Sequence, residues 1–268
     1  MRFVLAMAAV IAWAFPAWAG ADRIQELYDL MHVRTAVEIM AEEGMFYALD
    51  SEEVLFDGPA AGDWGAALTA VYDPDRLEGI VRAGFEQGLA GADLTPLIAF
   101  FDTPTGQKVV ALELSARRAF LARDVEQMAR ETWRQNPTGL AHSAAISRYI
   151  EVNDLIERNV TGSMNANMRF LRAFNAGNTD LSESDILSDI WAEEDRMRAD
   201  TVEWMNAFLS MAYAPLEADE MQANLELWQS QAGQALNNAL FLGFDSMFEQ
   251  VSEELGKVAA GILAQQEL

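Results

Sequence analysis

Apolar residues return every three or four positions along almost the whole chain. Over residues 22–49, Ile24, Leu27, Leu30, Met31, Ala36, Val37, Met40, Ala41 and Met45 keep this spacing, which places side chains on one face of an α-helix. Asp22 can cap its start. Residues 50–71 are less regular, with Gly58-Pro59, Gly62 and Gly65 as breakers. Asp73-Pro74 then supplies an N-cap and a first-turn proline. The helix it opens carries Leu77, Ile80, Val81 and Phe85 and ends near Gly91, and a short helix is expected from Asp93 to Phe101. Thr103-Pro104 repeats the cap-and-proline pair and starts a helix running to about Trp133. Asn136-Pro137-Thr138-Gly139 is the clearest break. Beyond it, segments near 142–161, 163–175, 183–213, 217–228 and 231–259 are helical in spacing, with breaks at Asn178-Thr179-Asp180 and Ala214-Pro215. Period-2 alternation is not sustained anywhere. The expected fold is all-α, a multi-helix array of about eight to ten helices.

The pattern also divides the chain into two modules, 20–135 and 140–268, that read as diverged repeats. LIAFFDTPTGQKVVALELSARRAF, from Leu97, sets against NLELWQSQAGQALNNALFLGFDSM over 224–247. Phe101 falls on Trp228, Thr103 on Ser230 and Gly106 on Gly233. In each, an aromatic precedes a hydroxyl cap by two residues and a glycine follows it by three. That is the composition of a tight helix–helix junction: the hydroxyl caps the new helix, and the glycine admits the preceding one closely. Upstream, Met31-His32-Val33 can be set against Ile150-Glu151-Val152, with a change of offset that an insertion would supply.

The stretch LTPLIAFFDTPTGQKV over 94–109 resembles the signature of the DUF2059 proteins: an aromatic, then Ser/Thr-Pro, then x-G-x-K. The residues carrying it are Phe100, Phe101, Thr103, Pro104, Gly106 and Lys108. The resemblance covers about residues 70–130 and extends more weakly to 200–250, where Trp228, Ser230 and Gly233 remain but the proline is missing and Ala235 replaces the lysine. It implies an exported, all-helical bacterial domain and no particular reaction.

Export is also expected from the first residues. Arg2 precedes an apolar run from Phe3 to Phe15, Pro16 ends it, and Ala17-Trp18-Ala19 offers the A-x-A pattern of a signal-peptidase site. Residues 1–19 therefore read as a signal peptide cleaved near Ala19, and the run is short for a bilayer span, which takes roughly 20 residues. The expected location is the periplasm or the exterior, with no transmembrane segment in the mature chain.

Composition narrows the function classes. The 268 residues hold 42 acids against 18 Lys and Arg, a net charge of -24, and no cysteine. Nucleic-acid binding is disfavoured, because phosphate contacts need cations. Cysteine catalysis and cysteine-ligated metals are excluded. Basic residues crowd one segment, Lys108, Arg117, Arg118, Arg123, Arg130 and Arg134, whereas residues 199–256 hold ten acids and no Lys or Arg. Internal ion pairs and solvation are expected, with attraction between the halves; the alternative is an Arg-bearing helix that presents a site to an acidic partner.

Candidate chemistry is sparse. His32 and His142 lack any metal-site spacing, and structural roles are expected for both. The acid pairs Glu42-Glu43, Glu52-Glu53, Glu193-Glu194-Asp195, Asp219-Glu220 and Glu253-Glu254 fit solvated helix faces. The loop from Asn178 to Asp189 departs from an EF-hand at both its glycine and its glutamate positions, held here by Glu183 and Asp189. Met197, Met205, Met211, Met221 and Met247 lie at helical spacing beside aromatics, as core residues do. No catalytic, cofactor or metal residue is assigned, and no cofactor is expected. The expected function is non-enzymatic binding or scaffolding in the bacterial cell envelope, with an envelope protein or a hydrophobic ligand as partner. The alternative is an envelope hydrolase using clustered carboxylates or a histidine.

Overall fold

A computed structural model of the protein describes residues 17–56, 58, 60, 64–176 and 182–266. The expected signal peptide lies outside these apart from Ala17–Ala19, and so do Pro59, Gly62 and the break at Asn178–Asp180. The described residues form helices and no strand. The first half contains α1 (Ala17–Leu30), α2 (Val33–Asp50), α3 (Glu52–Phe56), α4 (Trp64–Val71), α5 (Pro74–Gly88), α6 (Thr95–Phe101), α7 (Pro104–Phe120) and α8 (Arg123–Gln135). The second contains α9 (Ser143–Val152), α10 (Leu155–Phe174), α11 (Glu183–Ala192), α12 (Glu194–Tyr213), α13 (Ala218–Gln229) and α14 (Gln231–Gln266). Among the described residues, no helix is long and apolar enough to cross a membrane.

The all-helical array is the one the periodicity predicts, with more elements because several long segments are broken by one or two residues. Residues 22–49 divide at His32, and 142–161 divides at Asp154. Both residues take left-handed backbone angles, φ 50° and 52°, which reverse the chain without disturbing the apolar spacing on either side. The cap-and-proline pairs behave as predicted. Asp73 accepts from the Arg76 amide at 2.8 Å, and Thr103 accepts from the Gly106 amide at 3.0 Å.

Packing crosses between the halves reciprocally. Within each half, α2 packs on α5 and α10 on α12. Between them, α5 runs along α14, while α12 runs along α7 and α8. One apolar core draws on both, from Leu27 and Val37 through Phe85 and Phe120 to Tyr213, Leu236 and Val251. The α5–α14 crossing is close enough to demand glycine: a Cβ on Gly84 would lie 2.5 Å from Gly243 Cα, and one on Gly243 would lie 2.6 Å from the Val81 carbonyl oxygen. A smaller cluster, Phe56, Trp64, Leu68, Ala259 and Ile262, ties α3 and α4 to the end of α14.

A candidate ligand cavity between the halves

The two helix junctions singled out in the sequence have the same construction. Thr103 Oγ1 donates to the Phe100 carbonyl at 2.6 Å and accepts from the Gly106 amide. Ser230 Oγ donates to the Leu227 carbonyl at 2.6 Å and accepts from the Gly233 amide at 3.0 Å. A Cβ on Gly106 would overlap the Phe100 carbonyl and lie 2.7 Å from Phe101 Cα; one on Gly233 would overlap the Leu227 carbonyl and lie 2.8 Å from Trp228 Cα.

A glutamine next to each glycine extends the parallel. Gln107 Nε2 donates to the Phe101 and Leu30 carbonyls at 2.7 and 2.9 Å. Gln234 Nε2 donates to the Trp228 and Val152 carbonyls at 2.7 and 3.2 Å. The first helix of each half is thereby tied to its junction. Leu30 thus aligns with Val152, and His32 with Asp154, each of which takes left-handed backbone angles. The upstream register is therefore shifted by three residues from the one the sequence suggested, which set Met31-His32-Val33 against Ile150-Glu151-Val152.

Phe101 is 2% exposed and Trp228 6%, and both line a cavity of about 480 Å³, within the usual range for small-molecule sites. Its walls come from α2, α7, α10 and α14. Val33, Met40, Val110, Leu155, Leu240 and Phe244 supply much of the apolar surface. Phe208 of α12 and Tyr149 of α9 also reach it. Ser163 and Phe248 line it and are exposed, so it opens to solvent on their side.

Few polar groups face this space. Glu113, on α7, accepts a hydrogen bond from the Tyr213 hydroxyl at 2.5 Å. Burial pushes its carboxyl up to about 7, against which the Tyr213 bond acts. Burial and the neighbouring Glu249 push Asp245, on α14, up to about 6, against which Arg158 acts. Arg117 also lines the cavity, but its guanidinium is bound by Glu43, Nε at 3.0 Å and Nη2 at 2.6 Å, and lies over the Trp204 ring. Buried Asn237 donates to the Asn153 carbonyl at 3.0 Å. Glu113 and Asp245 were not singled out in the sequence. The signal was present: Glu113 stands in the apolar row Val109, Ala116, Phe120, and Asp245 stands between Phe241 and Phe248. An acid inside an apolar stripe marks a buried charge or a site.

The other sequence candidates lie elsewhere. His32 is exposed, and His142 caps α9 with a left-handed backbone while its Nε2 lies 2.9 Å from the Leu216 carbonyl. Neither lines the cavity. Four of the five acid clusters meet cations, Glu43 with Arg117, Glu193 with Arg196, Glu194 with Arg198, Glu220 with Lys108, Glu253 with Lys257 and Glu254 with Arg76, while in the fifth Glu52 accepts from the Ala60 amide at 3.0 Å. The basic segment pairs partly across the halves, Lys108 with Glu220 and Arg130 with Asp200 and Glu203, and partly within the first half, Arg117 with Glu43 and Arg123 with Asp50. Among the described residues, no group of His, Asp and Glu could hold a metal ion. Met205, Met221 and Met247 are buried in the core.

Residues 75–135 match the family model DUF2059, described as an uncharacterized protein conserved in bacteria. They span α5 to α8 and hold the Thr103-Pro104-Thr105-Gly106 junction. No curated protein and no solved structure matches the chain.

Proposed function

The chain being a DUF2059 domain-containing protein, a family whose description names no reaction, we propose that it is an exported, non-enzymatic binding protein of the bacterial envelope whose central cavity takes a hydrophobic ligand. The observation that carries this reading is the cavity itself. It is about 480 Å³, walled by apolar side chains from both halves, and open at Ser163 and Phe248. Cores pack tightly and rarely leave voids larger than a water molecule, and an apolar cavity of this size is stabilised by an apolar occupant. Export is supported by the signal pattern ending at Ala19. The two halves are read as diverged copies, supported by the matching hydrogen bonds at Thr103 and Ser230 and at Gln107 and Gln234.

The test is binding of N-phenyl-1-naphthylamine, an uncharged dye that fluoresces in apolar sites. Wild-type protein should bind it saturably. Ser163→Trp places an indole at an exposed position of the mouth, where folding is not at stake, and should weaken binding about tenfold or more. Equal binding by both proteins would sink the cavity as the site. Secretion is checked by the N-terminus of the envelope-extracted protein, expected to begin at Gly20.

A further inference from the structure

We propose that the cavity selects amphiphiles with a cationic, hydrogen-bond-donating head, of which a primary alkylamine is the simplest; this rests on the ligand-binding reading above. The lining residues offer open acceptors, and the cation among them is already paired; Arg158 stands behind the wall, over the Phe241 ring, where it donates to Asn238 and partly offsets Asp245. Glu113 Oε1 is engaged by Tyr213 at 2.5 Å, while Oε2 has no partner among the described residues. Asp245 has neither a hydrogen bond nor an ion pair among the described residues, and its Oδ1 lies beside Gly162, where a Cβ would approach it to 2.9 Å. It is half-buried on the same helix as Phe248 at the mouth, three residues before it. Arg117, the cation among the lining residues, already binds Glu43 through two nitrogens.

A head group that brings hydrogen atoms and positive charge would therefore satisfy acceptors that no described protein group serves. It would also favour the ionised form of both carboxyls, which burial holds toward the neutral form. A carboxylate or phosphate head meets the opposite situation: two acids on the wall, a lining arginine whose charge Glu43 already offsets, and Arg158 outside the lining, over the Phe241 ring. Buried unpaired charge is costly, so the anionic head is rejected although the chain behind it fits the same apolar wall. This is selectivity by an unfavourable element as well as a favourable one.

The experiment uses the mature full chain with N-phenyl-1-naphthylamine bound, displaced by decylamine, decanol or decanoate at equal ionic strength and pH 7.5. Decylamine is expected to displace the dye at a concentration about tenfold lower than decanoate, with decanol between them. The readout is the ratio of two midpoints within one protein, so a change in dye affinity cancels. In Glu113→Gln/Asp245→Asn the ratio should fall to within about twofold. Asp245→Asn alone, which breaks no protein hydrogen bond, should already narrow it.

Decanoate displacing as well as decylamine would overturn the proposal. So would an unchanged ratio in the double variant, which would assign the preference to the acidic surface as a whole. If wild type bound no dye, the cavity reading would fall and this inference with it. Dye binding without head-group preference would overturn this inference alone.

Discussion

The two halves share a junction and then part company. After Thr103, the helix runs seventeen residues as α7, breaks at Leu121-Ala122 and resumes as α8; after Ser230, α14 continues unbroken for thirty-six. In the second half α10 lies along α14, while in the first α2 touches α7 only sparingly. The register fixed by Leu30 and Val152 sets Met40 of α2 opposite Gly162 of α10. Both residues line the cavity. The same local design therefore carries a short helix that α2 barely touches in one half and a long helix packed along α10 in the other. The difference lies beyond the junction rather than in the junction itself.

The most severe way to test that comparison is at the shared glycines. Gly106→Ala and Gly233→Ala would each drive a methyl into the backbone of the preceding helix, into carbonyls that cannot yield as side chains do. Each should cost about 2–4 kcal/mol, read as a shift in the urea midpoint at constant slope. The two costs should agree within about 1 kcal/mol, since the surroundings match atom for atom. A neutral Gly233→Ala beside a costly Gly106→Ala would show that the resemblance of the two junctions is superficial.

Those glycines were legible in the sequence because a cap, a helix start and a close approach are all local. Thr103, Gly106, Ser230 and Gly233 declare themselves within six residues. The helices were legible for the same reason, through spacing. Single-residue reversals at His32 and Asp154 were not, since neither residue is glycine and the apolar rhythm runs through them undisturbed. The cavity was least legible. It is a space enclosed by α2, α7, α10 and α14, which come together from distant parts of the chain, and its polar wall depends on which acids among 42 are drawn from water. Glu113 and Asp245 were distinguishable only as acids on an apolar stripe.

A second contrast lies at position 113, which sets against Leu240 of the second half. A glutamate stands in one wall of the cavity and a leucine in the other. Its carboxyl is held at about 7 in the folded protein against an ordinary 4.5, so between these values the folded state binds more protons than the unfolded one. Stability from this group is complete below about pH 4.5 and is lost as pH rises through about 7. Wild type should thus lose about 2 kcal/mol more than Glu113→Gln between pH 5 and 8, in urea unfolding at each pH. Parallel pH profiles for the two proteins would mean that the carboxyl titrates as an ordinary exposed acid.

The smallest expected effect is at Lys108, inside the family-matched segment, where the second half has Ala235. Its ammonium meets Glu220 at 2.5 Å, and both side chains keep contact with solvent. Glu220 has a second task, accepting from the Glu217 amide at 2.8 Å and so closing the capping box of α13. Removing the lysine leaves that bond in place and exposes the carboxylate to water rather than stranding it. Half-exposed ion pairs contribute little, so Lys108→Ala, which writes the second half's residue into the first, should move Tm by less than about 2 °C. A fall as large as that from Gly106→Ala would instead make the Lys108–Glu220 pair a principal tie between the halves, and would place this lysine with the junction rather than at its rim.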